Sequence, residues 1–345
     1  MLPAEARAIL VWHQGALGDV LVALPALTAL ARHYPQARFT LVGGRDQLSL
    51  LAATLPVAAV WSGHQALWLE LYQNGGLSPT LTTRLAPFDL AVVFTPRSDP
   101  AFLARLAQAG VGRVVWLPSF PPPGSRQSCR GLQAAALAAL GLPGPLPPGR
   151  LIIPGEAHEA VRRERAAAGC QDALAVALAP GSGHPRKNWP LENYLQLAAR
   201  LTERWQAHIW WLLGPAEAAL APHLAATGAG EPRHSCLTGL PLVQVAAWLA
   251  DMDLYVGNDS GITHLAAAVA GPKVAAIFGP SDPLVWAPAE AAVLTAAAPC
   301  APCSEGRTIA CTEPRCLTEL PVAAVLAGIE GLGPRAAAPE DAPGG

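Results

Sequence analysis

Lysine is almost missing from this chain: Lys187 and Lys273 stand against 21 arginines. A guanidinium does not supply a compact point charge on a flexible stem, so a lysine inside a motif carries extra information here. Charge of either sign is sparse, at 14% of residues. No apolar stretch reaches the roughly 20 residues of a membrane-spanning helix before a Pro, Gly or charge interrupts it. The opening MLPAEARAILVW contains acidic Glu5 and runs straight into a strand-like segment. It lacks the basic and apolar regions of a secretory signal, so the expected compartment is the cytoplasm. Internal repeats are also missing. What is present is a 345-residue, 52% hydrophobic chain with 35 prolines, suited to one large or two ordinary globular domains.

The net charge of −2 hides an asymmetry. Residues 1–150 carry eleven arginines against six acids, and the remainder carries twelve basic residues against nineteen acidic ones. A basic half suits an anionic partner, although a solvated surface with a chance imbalance would read the same way. No nucleic-acid partner is implied.

Strand-like runs (AILVW, RFTLVGG, VAAVWSG, LAVVFTP, GRVVWLP) alternate with helix-like ones, the pattern of parallel sheets with helices on both faces. The first main helix is expected to start at Pro25 after a short turn over 18–24, because proline fits a first helical position better than an interior one. The Pro/Gly-rich GLPGPLPPGRLIIP is the candidate linker. Beyond it a second cycle runs through LAVALAP, HIWWLLG, DLYVGND and KVAAIFGP. The expectation is α/β throughout: an N-terminal domain over 1–150, a C-terminal domain over 151–332, and a disordered tail over 333–345. Ligands of doubly wound sheets bind beyond the carboxyl ends of the strands.

Near the start, GALGD follows the first strand like a phosphate cradle but places Asp19 where an anion would be repelled. The turn also lacks the third glycine and the spacing of a dinucleotide fingerprint, which disfavours an NAD-dependent dehydrogenase. A better anion site is GNDSGITH, where Asp259, Ser260 and Gly261 precede a helix whose unpaired N–H groups favour negative charge, with His264 in its first turn. The same residues also fit an ordinary N-cap with a surface histidine. A second glycine loop, APGSGHPRKNW, brings Ser182 and Lys187 behind another strand. Glu217, beyond a third strand, suits either a ribose or first-turn helix charge.

The segments GALGDVLVALPAL, APGSGHPRKNWPLENYLQLA, GPAEAA, GNDSGITHLAAAVAGPKVAAIFGPSDP and WAP occur in that order. Together they closely resemble glycosyltransferase family 9, the ADP-heptose:lipopolysaccharide heptosyltransferases and relatives. The resemblance implies a GT-B architecture of two Rossmann-like domains facing across a cleft, acceptor on the first and sugar nucleotide on the second. It implies Asp19 as general base on the acceptor hydroxyl, with Gly18 beside it as an acceptor-binding residue. It implies Ser182, Lys187, Ser260, Gly261 and His264 on the donor diphosphate, with Glu217 and Asp259 at the ribose and its loop. The implied reaction is inverting, needs no metal or other cofactor, and moves a sugar from a nucleoside diphosphate such as ADP-heptose. The acceptor would be a glycolipid or glycan, reached through peripheral contact at the cytoplasmic membrane face. A sugar-nucleotide epimerase or hydrolase of the same architecture, or a non-catalytic nucleotide-sugar binder, is the alternative.

The family's acceptor loops carry basic residues, whereas VWSGHQALWLELYQNGG has only His64. That leaves Arg97 as the best-placed acceptor ligand, with Arg84, Arg126 and Arg130 as further candidates. His13 occupies a position often basic in relatives, although a satisfied strand-end histidine fits it better. Asp251-Met252-Asp253 mimics a metal-binding pair but falls at a helix end, where a structural role is expected. Cys300, Cys303, Cys311 and Cys316 cluster in sequence with the first pair at metal-ligand spacing; thiols, zinc and a disulfide all remain open.

Overall fold

Runs such as Ile9–Trp12 and Leu90–Phe94 are apolar at every position, not alternate ones, as a sheet covered on both faces requires. The computed structural model describes residues 1–227, 233–303 and 311–333. The chain divides into two compact units, Met1–Ile152 and the residues from Ile153 onward.

The first unit runs β1 (Ala8–His13), α1 (Leu17–His33), β2 (Arg38–Gly43), α2 (Arg45–Ser49), β3 (Val57–Ser62), α3 (Pro79–Leu85), β4 (Leu90–Thr95), α4 (Pro100–Gln108), β5 (Arg113–Pro118) and α5 (Cys129–Ala139). All pairings are parallel, in the order β3-β2-β1-β4-β5. Trp12 anchors one face of this sheet, meeting Trp68 edge-on at 5.4 Å and Phe102 at 5.1 Å.

The second unit runs α6 (Gly155–Ala167), β6 (Ala175–Ala179), α7 (Leu191–Trp205), β7 (His208–Leu213), α8 (Ala221–Thr227), β8 (His234–Thr238), α9 (Leu242–Ala250), β9 (Leu254–Asn258), α10 (Gly261–Ala268), β10 (Lys273–Ile277), α11 (Pro283–Trp286), β11 (Ala292–Leu294), α12 (Arg315–Thr318) and α13 (Val322–Gly331). Its six parallel strands lie in the order β11-β10-β9-β6-β7-β8. Counted from its own first strand, this repeats the order of the first unit with one strand added. Helix α7 packs through Tyr194, Leu197, Ala198 and Leu201, spaced to share one face. In each unit the order reverses next to the first strand, between β1 and β4 and between β6 and β9. In doubly wound sheets such a reversal is where a crevice forms beyond the strand ends.

One expectation fails. Helix α1 begins at Leu17 and carries Pro25 in its interior, where a proline costs about 3 kcal/mol. The stripe Val20, Leu21, Leu24 and Leu27 is buried and carries the helix past it. Pro25 is itself buried and lies against Gly149, where an added Cβ would come within 2.9 Å of its Cδ. Burial of the ring and its neighbours offsets the missing hydrogen bond.

Asp251 and Asp253 have structural partners. Asp251 meets Arg165 at 2.6 Å, and Asp253 accepts from the Ala175 amide at 2.9 Å, fixing the start of β6. No described helix is long and apolar enough to cross a membrane. The expected tail over 333–345 lies, apart from Gly333, outside the described residues.

Candidate functional site

In the second unit, β6 ends at Ala179 and the chain turns through Pro180–His184 before a single 3-10 turn at Pro185–Lys187. Gly183 adopts φ +74°, a left-handed conformation that favours glycine. Across the switch point, β9 ends at Asn258, and Ser260 caps α10 by accepting from the Thr263 amide at 3.3 Å. Ser260 is therefore the N-cap. Asp259 instead pairs with Lys187 Nζ at 2.5 Å. His264 lies within their field: burial lowers its pKa, Asp259 opposes that shift and Lys187 adds to it.

Glu217 follows β7 and folds back onto the glycine loop. A Cβ added to Gly181 would sit 2.2 Å from its Oε1, and one on Gly214 would sit 2.9 Å from its Oε2. The structure thus gathers Ser182, Lys187, Glu217, Asp259, Ser260, Gly261 and His264 around the carboxyl ends of β6, β7 and β9. A lysine, a helix N-terminus and an imidazole converge there, a combination that can hold an anion. Ser182 is turned into its own loop, with Oγ 2.5 Å from Asn188 Oδ1 and 2.8 Å from the His184 carbonyl.

Sequence reasoning missed the scaffold beneath these loops. The Thr263 hydroxyl donates to the Asn258 carbonyl and lies 2.9 Å from the Tyr255 hydroxyl. Asn258 itself is fully buried. An asparagine ending an otherwise apolar strand was the available signal, since a buried amide must find partners.

In the first unit, β1 delivers His13, Gly15, Gly18 and Asp19 to the β1/β4 switch point. Ala16 has no side chain able to cap α1, and Asp19 Oδ2 accepts from the Ala16 amide at 2.9 Å. Nδ1 of His13 accepts from the Gly15 amide at 3.2 Å, which assigns the ring proton of the neutral form to Nε2. That nitrogen is buried without a partner. Only half of the expected satisfaction is met, and burial brings the His13 pKa down to about 4. Behind the turn, Cys129 opens α5; burial, aided by the Asp19 charge, pushes its thiol up to about 12.

Arg97 is exposed in the loop after β4, its carbonyl accepting from Thr95 Oγ1 at 2.8 Å. Two other arginines hold the fold. Arg84 stacks over Trp61 at 4.1 Å and reaches Gln65 at 3.0 Å, and Arg130 donates to the Leu146 carbonyl at 2.9 Å. His64 is exposed, as is Arg126. All seven cysteines are free thiols. Burial raises the pKa of Cys303 and of Cys316, with smaller contributions from the neighbouring cysteines. Among the described residues no group of three or more side chains is arranged to hold a metal, and residues 304–310 of the cysteine segment lie outside them.

A family model described as glycosyltransferase family 9 (heptosyltransferase) matches residues 123–314. Three solved structures share the fold at 18% identity, each covering 94% of this chain. They are a family 9 glycosyl transferase from Veillonella parvula (97% of that chain, TM-score 0.72), ADP-heptose lps heptosyltransferase II from E. coli (98%, 0.68) and E. coli heptosyltransferase WaaC with ADP (99%, 0.64). No curated protein matches the chain. Two parallel doubly wound sheets, shared with these structures, constitute a GT-B fold.

Proposed function

The chain belongs to glycosyltransferase family 9, and from that premise we propose that it is an inverting, metal-independent heptosyltransferase using ADP-heptose as donor. The acceptor in this reading is a lipopolysaccharide-like glycolipid or glycan, met at the cytoplasmic face of the membrane. The observation that carries the reading is the convergence of Lys187, His264 and the start of α10 at the β6/β9 switch point, with Glu217 folded beside them.

The second unit holds the nucleotide. Lys187 and the α10 N-terminus meet the diphosphate, and Glu217 accepts the ribose hydroxyls. As the bond from the anomeric carbon to the diphosphate breaks, charge grows on the leaving oxygens. Preorganised donors stabilise that charge in the transition state more than in the ground state. The first unit supplies the base: Asp19, steadied by the Ala16 amide, takes the proton of the acceptor hydroxyl as its oxygen attacks the anomeric carbon. The negative charge that is misplaced for a phosphate cradle is in place for this role.

The test is thermal stabilisation by ADP, UDP, GDP and their sugars, in buffer containing EDTA. Stabilisation by ADP and ADP-heptose, scaling with ligand concentration, is the expected outcome. Flat melting curves across the panel would overturn the donor site, and a strict requirement for a divalent ion would overturn the metal-free mechanism.

A further inference from the structure

The loop that carries Lys187 is closed at both ends by one side chain. Asn258 Nδ2 donates to the carbonyl of Pro180, the residue before Gly181, at 2.8 Å. Its Oδ1 accepts from the amide of Trp189, the residue after Asn188, at 2.9 Å. A single buried side-chain amide thus ties together the two ends of segment 181–188, while the backbone carbonyl of Asn258 accepts from the Thr263 hydroxyl. Inside the segment, Ser182 reaches Asn188 and Lys187 reaches Asp259, the residue next to Asn258. Asparagine suits this junction because its planar amide offers a donor and an acceptor together. Aspartate would keep only the acceptor, and leucine neither.

We propose that Asn258 is a positioning residue that sets donor affinity by holding the 181–188 loop in its nucleotide-binding shape. The proposal rests on the donor-site reading given above. With Asn258 in place, the loop is ordered before the nucleotide arrives, and binding does not bear the cost of ordering it. Without it, that cost falls on the binding step. The loss then appears in donor KM and Kd, while kcat at saturating donor changes little.

The experiment compares wild type with Asn258→Leu, which is close in size, and Asn258→Asp, which keeps the Trp189 contact. ADP affinity is measured by calorimetry, donor and acceptor KM by steady-state kinetics, and the loop by hydrogen exchange. Asn258→Leu is expected to weaken ADP by roughly tenfold or more, the scale set by stranding two buried partners. Exchange should rise across 181–189 while acceptor KM stays unchanged. Asn258→Asp should keep the Trp189 amide protected and loosen the Pro180 end. If Asn258→Leu does not fold, the Asn258→Asp exchange pattern decides. A lowered melting temperature with unchanged ADP affinity and loop exchange would show a merely structural residue and overturn the proposal. Wild-type protein that binds no nucleoside diphosphate would instead overturn the donor reading beneath it.

Discussion

His13 and Asp19 flank the same point in space. A Cβ added to Gly15 would come within 2.8 Å of both His13 Cε1 and Asp19 Oδ2. Residue 15 is therefore the spacer between a strand-end imidazole and the carboxylate of the first helical turn. Gly15→Ala should push Asp19 away from the Ala16 amide and lower kcat by roughly a hundredfold, as small misplacements of reacting groups do. Nucleotide binding, measured by calorimetry, should be unaltered; an unimpaired kcat would show that the spacing is dispensable.

Asp19→Asn keeps the shape of the side chain and an oxygen for the Ala16 amide while removing the proposed base. Transfer should fall by roughly 10²–10⁴-fold, the usual worth of a positioned proton acceptor. ADP affinity and melting temperature should stay at wild-type values. Turnover at the wild-type rate would remove Asp19 from the mechanism.

Lys187→Arg tests whether the rare lysine is specific. A planar guanidinium cannot reproduce a compact charge held 2.5 Å from Asp259. ADP should bind roughly tenfold more weakly to Lys187→Arg and more weakly still to Lys187→Ala, which strands the Asp259 carboxylate. Full rescue by arginine would reduce the lysine to a generic positive charge.

Acid should destabilise the protein through two buried histidines. Burial lowers both His13 and His208 to about 4. For His208, nearby His234, Arg165 and Arg233 add to the shift, and its Nε2 lies 2.9 Å from Ser235 Oγ. The unfolded chain protonates these rings near pH 6.5, well before the folded one, so it binds more protons between pH 6.5 and 4. Stability therefore falls as pH drops through that window, by up to about 1.4 kcal/mol per pH unit for each ring. Urea titrations at pH 5 and 7 measure the difference, and His208→Gln should remove about half of it, leaving the share of His13.

Much of the architecture is legible along the chain because a doubly wound sheet writes itself as consecutive apolar runs, each ending in a glycine or polar turn. The glycine loops are legible for the same reason: Gly181, Ser182, Ser260 and Gly261 sit where strands stop. Pro25 is not, because local preference argues for a helix start and only the burial of its ring outweighs that preference. Asn258 is not, because its partners Pro180 and Trp189 lie far away in sequence and a strand-terminal asparagine suggests no particular pairing. The structural roles of Arg84 and Arg130 depend likewise on side-chain geometry that spacing does not carry.

Glu217 occupies the space that a side chain at position 181 would need. The two positions are consequently one unit of variation: a bulkier residue 181 becomes tolerable only alongside a shorter residue 217. Redesign at position 181 must therefore begin at position 217, because any side chain added to the glycine meets the glutamate first.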